Sequence, residues 1–137
     1  MKRGVSTNKE LVQHRMERAR ITLKDARNLF SQESSPASVV NRAYYSMFYA
    51  ALALLATVGQ QTSKHQGVLA LFDQYFIKPK ILPKEMGKFL HKAFDLRQTG
   101  DYEEEAELTR QDAQESLDFA EKFIYSTKEK LSQDHWL

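Results

Sequence analysis

Arg42 stands inside an otherwise apolar, helix-forming run, Asn41-Arg42-Ala43-Tyr44-Tyr45-Ser46-Met47-Phe48-Tyr49-Ala50-Ala51. Stripping a guanidinium of water without giving it a partner is costly, so Arg42 must either be paired or face a polar cleft. Residues seven apart on an α-helix are separated by two turns and only about 20° around the axis, which puts Tyr49 on the face of Arg42. Ser46 lies between them, and the same stripe continues to Ala53 and Ala56, small enough for another backbone to approach closely. Val40, Met47 and Leu54 form a second, bulkier stripe suited to an internal core. The pattern predicts a helix with one face in its own bundle and another free to meet a twofold mate, the commonest oligomer. Tyr44 and Tyr45 point about 100° apart, so only one of them can add an aromatic surface beside Arg42.

The elements that must carry this stripe are helical. Only three prolines and five glycines occur in 137 residues, and they sit at the edges of helical patterns, while no stretch reads as a strand. Thr7-Asn8-Lys9-Glu10 has the form of a capping box and opens a first helix ending near Ser31 to Ser34. Ser35-Pro36 and Gly59 bracket a second helix of about six turns, apolar nearly all round and therefore central to the bundle or to a subunit interface. A third starts at Ser63-Lys64-His65-Gln66 and is interrupted by Pro79, and a fourth runs from Pro83 to about Arg97. Gly100-Asp101-Tyr102 reads as a turn, and Thr109-Arg110-Gln111-Asp112 as a second capping box before the last helix. Four long helices and one short one make an all-α, up-and-down bundle.

Length and composition bound the rest. The chain reads as one domain over residues 1–137, with its core at about 7–132, large enough to fold without staples. It has no cysteine, which removes disulfides and Cys-based zinc sites and is compatible with the cytoplasm, the expected location. No apolar stretch follows Met1-Lys2-Arg3 as in a secretion signal, and Ala43 to Val58 is shorter than the roughly 20 residues that span a bilayer, so no membrane role is expected. Basic residues dominate the first helix and acidic ones the segment from Asp101 to Glu121. Such asymmetry fits either a nucleic-acid-facing side and a partner-facing side, or two solvated helix faces attracting each other.

The phrase Asn41-Arg42-Ala43-Tyr44-Tyr45-Ser46-Met47-Phe48 resembles the motif helix of the small stand-alone bacterial and archaeal members of the HEPN superfamily. Ser63-Lys64-His65-Gln66-Gly67 and Asp95-Leu96-Arg97-Gln98-Thr99-Gly100-Asp101-Tyr102 also resemble that subgroup, and the agreement covers roughly residues 10 to 131. The resemblance implies a helical bundle that dimerises through its motif helices, often encoded beside a minimal nucleotidyltransferase as a toxin and antitoxin pair. The family's ribonucleases carry an arginine followed, four to six residues later, by a histidine, and form a composite metal-independent site across the dimer. Here the arginine is Arg42, while the position six intervening residues on is Tyr49.

This departure bears on the chemistry the resemblance implies. Cleaving RNA with its own 2′-hydroxyl needs a base with a pKa near neutrality, a donor to the leaving oxygen and positive charge on the phosphorane. Histidine titrates near about 6.5 and tyrosine near about 10, so roughly one unperturbed tyrosine in a thousand is ionised at pH 7. His65, at the entry to the third helix, is the histidine that could line the same cleft, or it simply caps that helix. His91 reads as a surface residue, and His14 and His135 lie near the chain ends. No histidine pairs with carboxylates at a metal-binding spacing, so neither a metal nor a cofactor is expected. Arg97 and Asp101 read as an i,i+4 ion pair closing the fourth helix; the other possibility is that Arg97 or Tyr102 touches a phosphate or base in the dimer cleft. The resemblance also makes Tyr45 and Tyr49 the tyrosines a partner transferase could modify with nucleotides.

The expected function is therefore a dimeric HEPN protein that binds RNA or nucleotide through Asn41, Arg42, Tyr45, Ser46, Arg97 and Tyr102, with ribonuclease activity weakened or absent. One alternative is an active metal-independent endoribonuclease using Arg42 with Tyr49 or His65. Another is a purely structural dimer in which a carboxylate neutralises Arg42.

Overall fold

The computed structural model describes residues 3–102 and 107–137, with side chains from residue 8 to 101 and from 107 onward. The helices are α1 (Arg3–Ser31), α2 (Pro36–Thr57), α3 (His65–Phe72), α4 (Lys84–Tyr102) and α5 (Arg110–Gln133), with a π-helical turn over Asp73–Ile77 extending α3. No strand occurs among the described residues. The predicted all-α bundle of four long helices and one short one is what forms.

The apolar run around Arg42 places α2 at the centre. It packs against α1, α3, α4 and α5, and its Ala43, Tyr44, Met47, Ala50, Ala51, Leu54 and Leu55 are almost wholly buried. Its ends follow the local chemistry of the sequence. The Ser35 hydroxyl accepts the Ser38 N–H with Pro36 in the first turn, and Gly59 takes the left-handed conformation (φ 71°) just beyond the C-cap. At the other capping box, the Thr109 hydroxyl accepts the Asp112 N–H at 3.0 Å, and the Asp112 carboxylate accepts the Thr109 N–H at 2.8 Å. Ring contacts join the helices, Phe89 of α4 stacking on Phe119 of α5 at 4.9 Å and Phe72 of α3 meeting Phe123 of α5 at a tilt at 5.4 Å.

Four expectations are corrected. Helix α1 already runs at Arg3, so Thr7-Asn8-Lys9-Glu10 lies inside it; a capping pattern favours a start but does not stop a helix arriving from upstream. Helix α4 continues past Arg97 through Gly100 and Asp101, because Arg97 and Asp101 pair across one helical turn and Gly100 lets that end lie close to its neighbours. A Cβ at Gly100 would stand 2.7 Å from Leu108 Cδ1 and 3.4 Å from Ala37 Cβ. The third helix passes into a π-turn before Pro79, which no residue pattern announced. Ser46, Ala53 and Ala56 are buried inside the bundle, so the open face of α2 follows the i+3 step from Arg42 and not the i+4 step.

The charge asymmetry is used at least partly within the fold. Arg27 of α1 meets Glu121 of α5 at 3.5 Å, and Lys92 of α4 meets Glu115 of α5 at 3.3 Å. Glu103, Glu104, Glu105 and the side chain of Tyr102 lie outside the described residues. No described helix is long and apolar enough to cross a membrane.

Candidate functional site

The open face of α2 carries Asn41, Arg42, Tyr45, Tyr49 and Leu52, all half-buried, at the 3- and 4-residue spacing of a single stripe. Tyr45 is its hub. The Arg42 guanidinium lies 5.1 Å from the Tyr45 ring, the Arg97 guanidinium 5.3 Å from it, and the His65 ring stands edge-on to it at 5.6 Å. Three of the residues singled out from sequence, on three helices, thus converge on one aromatic ring.

Hydrogen bonds tie the cluster into a chain. Arg42 donates from Nε and Nη2 to the Asn41 side-chain oxygen at 3.1 and 2.8 Å. The Asn41 amide in turn donates to the Asp101 carboxylate at 3.1 Å, which also accepts from Arg97 Nε at 3.0 Å. Arg97 then donates from Nη2 to the Tyr45 hydroxyl at 3.0 Å. The expected Arg97–Asp101 pair is therefore present, within the helix and not after it, and Arg97 is only 9% exposed. Arg42 differs in kind. Among the described residues it has no carboxylate partner, and it borders a hollow of about 360 Å³ lined by Leu29, Ala37, Ser38, Asn41 and Asp101.

The other candidates fall into different surroundings. The Tyr49 hydroxyl accepts from Arg18 Nη2 of α1 at 3.0 Å, and the same guanidinium lies 4.4 Å from its ring. Sequence reasoning missed Arg18, because nothing in its local spacing singles it out from the other basic residues of α1. Ser46 is fully buried, and its hydroxyl donates to the Ala43 carbonyl at 2.7 Å, so it lines no open surface of the chain. Tyr44, whose ring meets Tyr45 edge-on at 5.3 Å, is wholly buried.

His65 meets Tyr44 at depth. Its Nδ1 lies 2.7 Å from the Tyr44 hydroxyl, and its ring stacks on Phe48 at 4.4 Å. Burial pushes the Tyr44 phenol well above the usual tyrosine range, so it stays protonated. Burial, and next the Arg97 charge, hold His65 below the ordinary histidine value. The unfolded chain therefore binds the proton more readily, and stability should fall as pH drops below about 6.5, levelling off below the folded pKa. Urea unfolding at about pH 7.5 and 5 should give a smaller loss for His65→Gln than for the parent; equal losses would discard this contribution. His91 Nε2 donates to the Asp73 carboxylate at 2.6 Å at the surface, away from this cluster. No group of three or more metal-ligating side chains occurs among the described residues.

Comparison with known proteins gives a family match over most of the chain. Residues 12–131 match the HEPN domain family, a span holding the whole cluster from Arg18 to Asp101. A UPF0332 protein of Thermotoga maritima is 38% identical over 130 residues, covering 95% of this chain and 97% of the relative. A protein named as a candidate toxin in Methanocaldococcus jannaschii is 36% identical over 116 residues, covering 85% of this chain and 78% of its own length. A UPF0332 protein of Gloeobacter violaceus is 34% identical over 119 residues, covering 86% and 94%. With a central motif helix, the Arg42 face it presents and a family match over most of its length, this chain belongs to the HEPN domain family.

Proposed function

We propose that this HEPN protein acts as a homodimer joined through the open face of α2, binds RNA or nucleotide phosphate through Arg42, and has weak or no ribonuclease activity. The observation that carries the reading is the state of Arg42. Its guanidinium is held by a neutral amide and an aromatic face and forms no ion pair with a carboxylate among the described residues, Asp101 standing in the wall of the same hollow. A purely structural role predicts a neutralised arginine instead. Position 49, where the family's ribonucleases place histidine, holds a tyrosine that accepts a hydrogen bond from Arg18, an arrangement suited to binding rather than proton abstraction.

The relatives named as candidate toxins support a place in a toxin–antitoxin-like module, and we infer a minimal nucleotidyltransferase as the partner from the family resemblance alone. Tyr45 and Tyr49 are the half-buried tyrosines on the face such a partner would modify, whereas Tyr44 is out of reach. One observation favours the alternative of an active ribonuclease: Tyr45 brings His65 and Arg42 to a common ring.

The test is RNA binding and metal-free cleavage by the full chain. Affinity should fall steeply with salt, and Arg42→Ala should weaken binding by about tenfold at each site and flatten the salt slope. Salt-independent binding, or an Arg42→Ala variant that binds as the parent does, would remove the phosphate-recognition reading. Cleavage lost in both Arg42→Ala and His65→Gln would move the assignment to the ribonuclease.

A further inference from the structure

A second cleft, of about 550 Å³, opens between the start of α3 and the C-terminal half of α4. It is lined by Lys64, His65, Gln66, Gly67, Phe94, Arg97 and Gln98. Among these lining residues there is no carboxylate, in contrast with the hollow beside Arg42, where Asp101 forms part of the wall. Lys64 is exposed and has no ion-pair partner among the described residues. Arg97 lines the cleft with its guanidinium paired to Asp101 and donating to the Tyr45 hydroxyl.

His65 supplies the directional element. The buried Tyr44 hydroxyl has His65 Nδ1 as its only hydrogen-bond partner among the described residues, at 2.7 Å. A buried phenol proton needs an acceptor, and an unprotonated imidazole nitrogen is a good one, so Tyr44 donates to Nδ1. The imidazole proton then resides on Nε2, the opposite edge of the ring, which has no partner among the described residues. His65 is thereby a fixed donor toward the cleft and not the base that a ribonuclease would require. We propose that this cleft is a phosphate subsite, in which Lys64 and the His65 Nε2–H hold a phosphoryl group of a nucleotide or of RNA.

Other features fit such an occupant. The first turn of α3, whose residues His65, Gln66 and Gly67 line the cleft, has no side-chain cap. Phe94, Gln66 and Gln98 border the space a base would take beside the phosphate. The subsite does not depend on Arg42, which is not among its lining residues.

Imidazole nitrogen NMR on the full chain tests it, with inorganic phosphate, adenosine monophosphate and a short single-stranded RNA as probes, and sodium chloride at matched ionic strength as control. His65 should carry its proton on Nε2 before addition. Phosphate should move the His65 resonances and raise its pKa, since an anion beside the ring favours the imidazolium. Lys64→Ala, on the surface, should weaken phosphate binding by about fivefold, while Arg42→Ala should leave it within about twofold. Tyr44→Phe, which keeps the ring and removes the hydroxyl, should release the tautomer and weaken binding. A proton on Nδ1, or shifts reproduced by chloride, would overturn the proposal. Tighter binding of RNA than of the mononucleotide assigns the subsite to a strand, and the reverse assigns it to a free nucleotide. Should RNA bind through Arg42 while His65 stays silent, the subsite fails and the Arg42 reading stands.

Discussion

Replacing Tyr49 by histidine is expected to raise metal-free RNA cleavage by about 10²- to 10⁴-fold, the range a positioned general acid or base contributes. The rest of the machinery the reaction needs is close by. Arg42 lies on the same stripe, one turn beyond Tyr45, and can stabilise negative charge on the phosphorane. Arg18, whose guanidinium now rests 4.4 Å from the Tyr49 ring, would disfavour a protonated imidazole at that position. The introduced side chain would then be neutral at pH 7 and able to accept a proton. The control is Arg42→Ala placed in the Tyr49→His background, which should return cleavage to the parental level. If the Tyr49→His protein is dimeric, binds RNA and still does not cut, position 49 is not what silences the natural chain.

The second large effect falls on stability. Arg97→Ala should destabilise the fold by about 3 kcal/mol, lowering Tm by roughly 10 °C. Removing it strips a donor from the Asp101 carboxylate and another from the Tyr45 hydroxyl, and withdraws a cation from beside two aromatic rings. The loss is placed at the lower end for a broken buried pair because the Asp101 side chain is 26% exposed and keeps the Asn41 amide. Arg97→Lys should recover only part of it, since one ammonium cannot imitate a planar fork reaching two acceptors. Thermal unfolding of the three proteins decides the matter, and an Arg97→Ala protein as stable as the parent would mean that the pair is dispensable.

How far the sequence could be read depends on which forces acted locally. The α2 boundaries were legible because Ser35, Pro36 and Gly59 act through their own backbones and nearest neighbours. The α4 boundary was not: Gly100 looks like a stop, yet here it serves packing against Ala37 and Leu108, residues far away or across a loop. The α2 stripe was legible in kind but not in direction. Arg42 with Tyr49 was the right pair of positions on one face, but either Tyr45 or Ser46 can lie between them on the helix. Only the packing of the neighbouring helices decides that Ser46 is inside and Tyr45 outside. The hydrogen bond between Tyr44 and His65 spans 21 residues and two helices, and no periodicity reaches that far. Arg97 and Asp101 were paired correctly because a helix makes that contact by itself; their links to Tyr45 and Asn41 required the fold.

The close approach at Gly100 makes two positions in this chain epistatic. Alanine there ought to gain up to about 1 kcal/mol from helix propensity, but its methyl would collide with Leu108, so the gain is spent moving that side chain. With Leu108 first shortened to alanine, the same change at position 100 should stabilise by more than it does in the parent. A substitution scan on one background would therefore misjudge this helix end, because the effect of a methyl at 100 is written in the identity of residue 108.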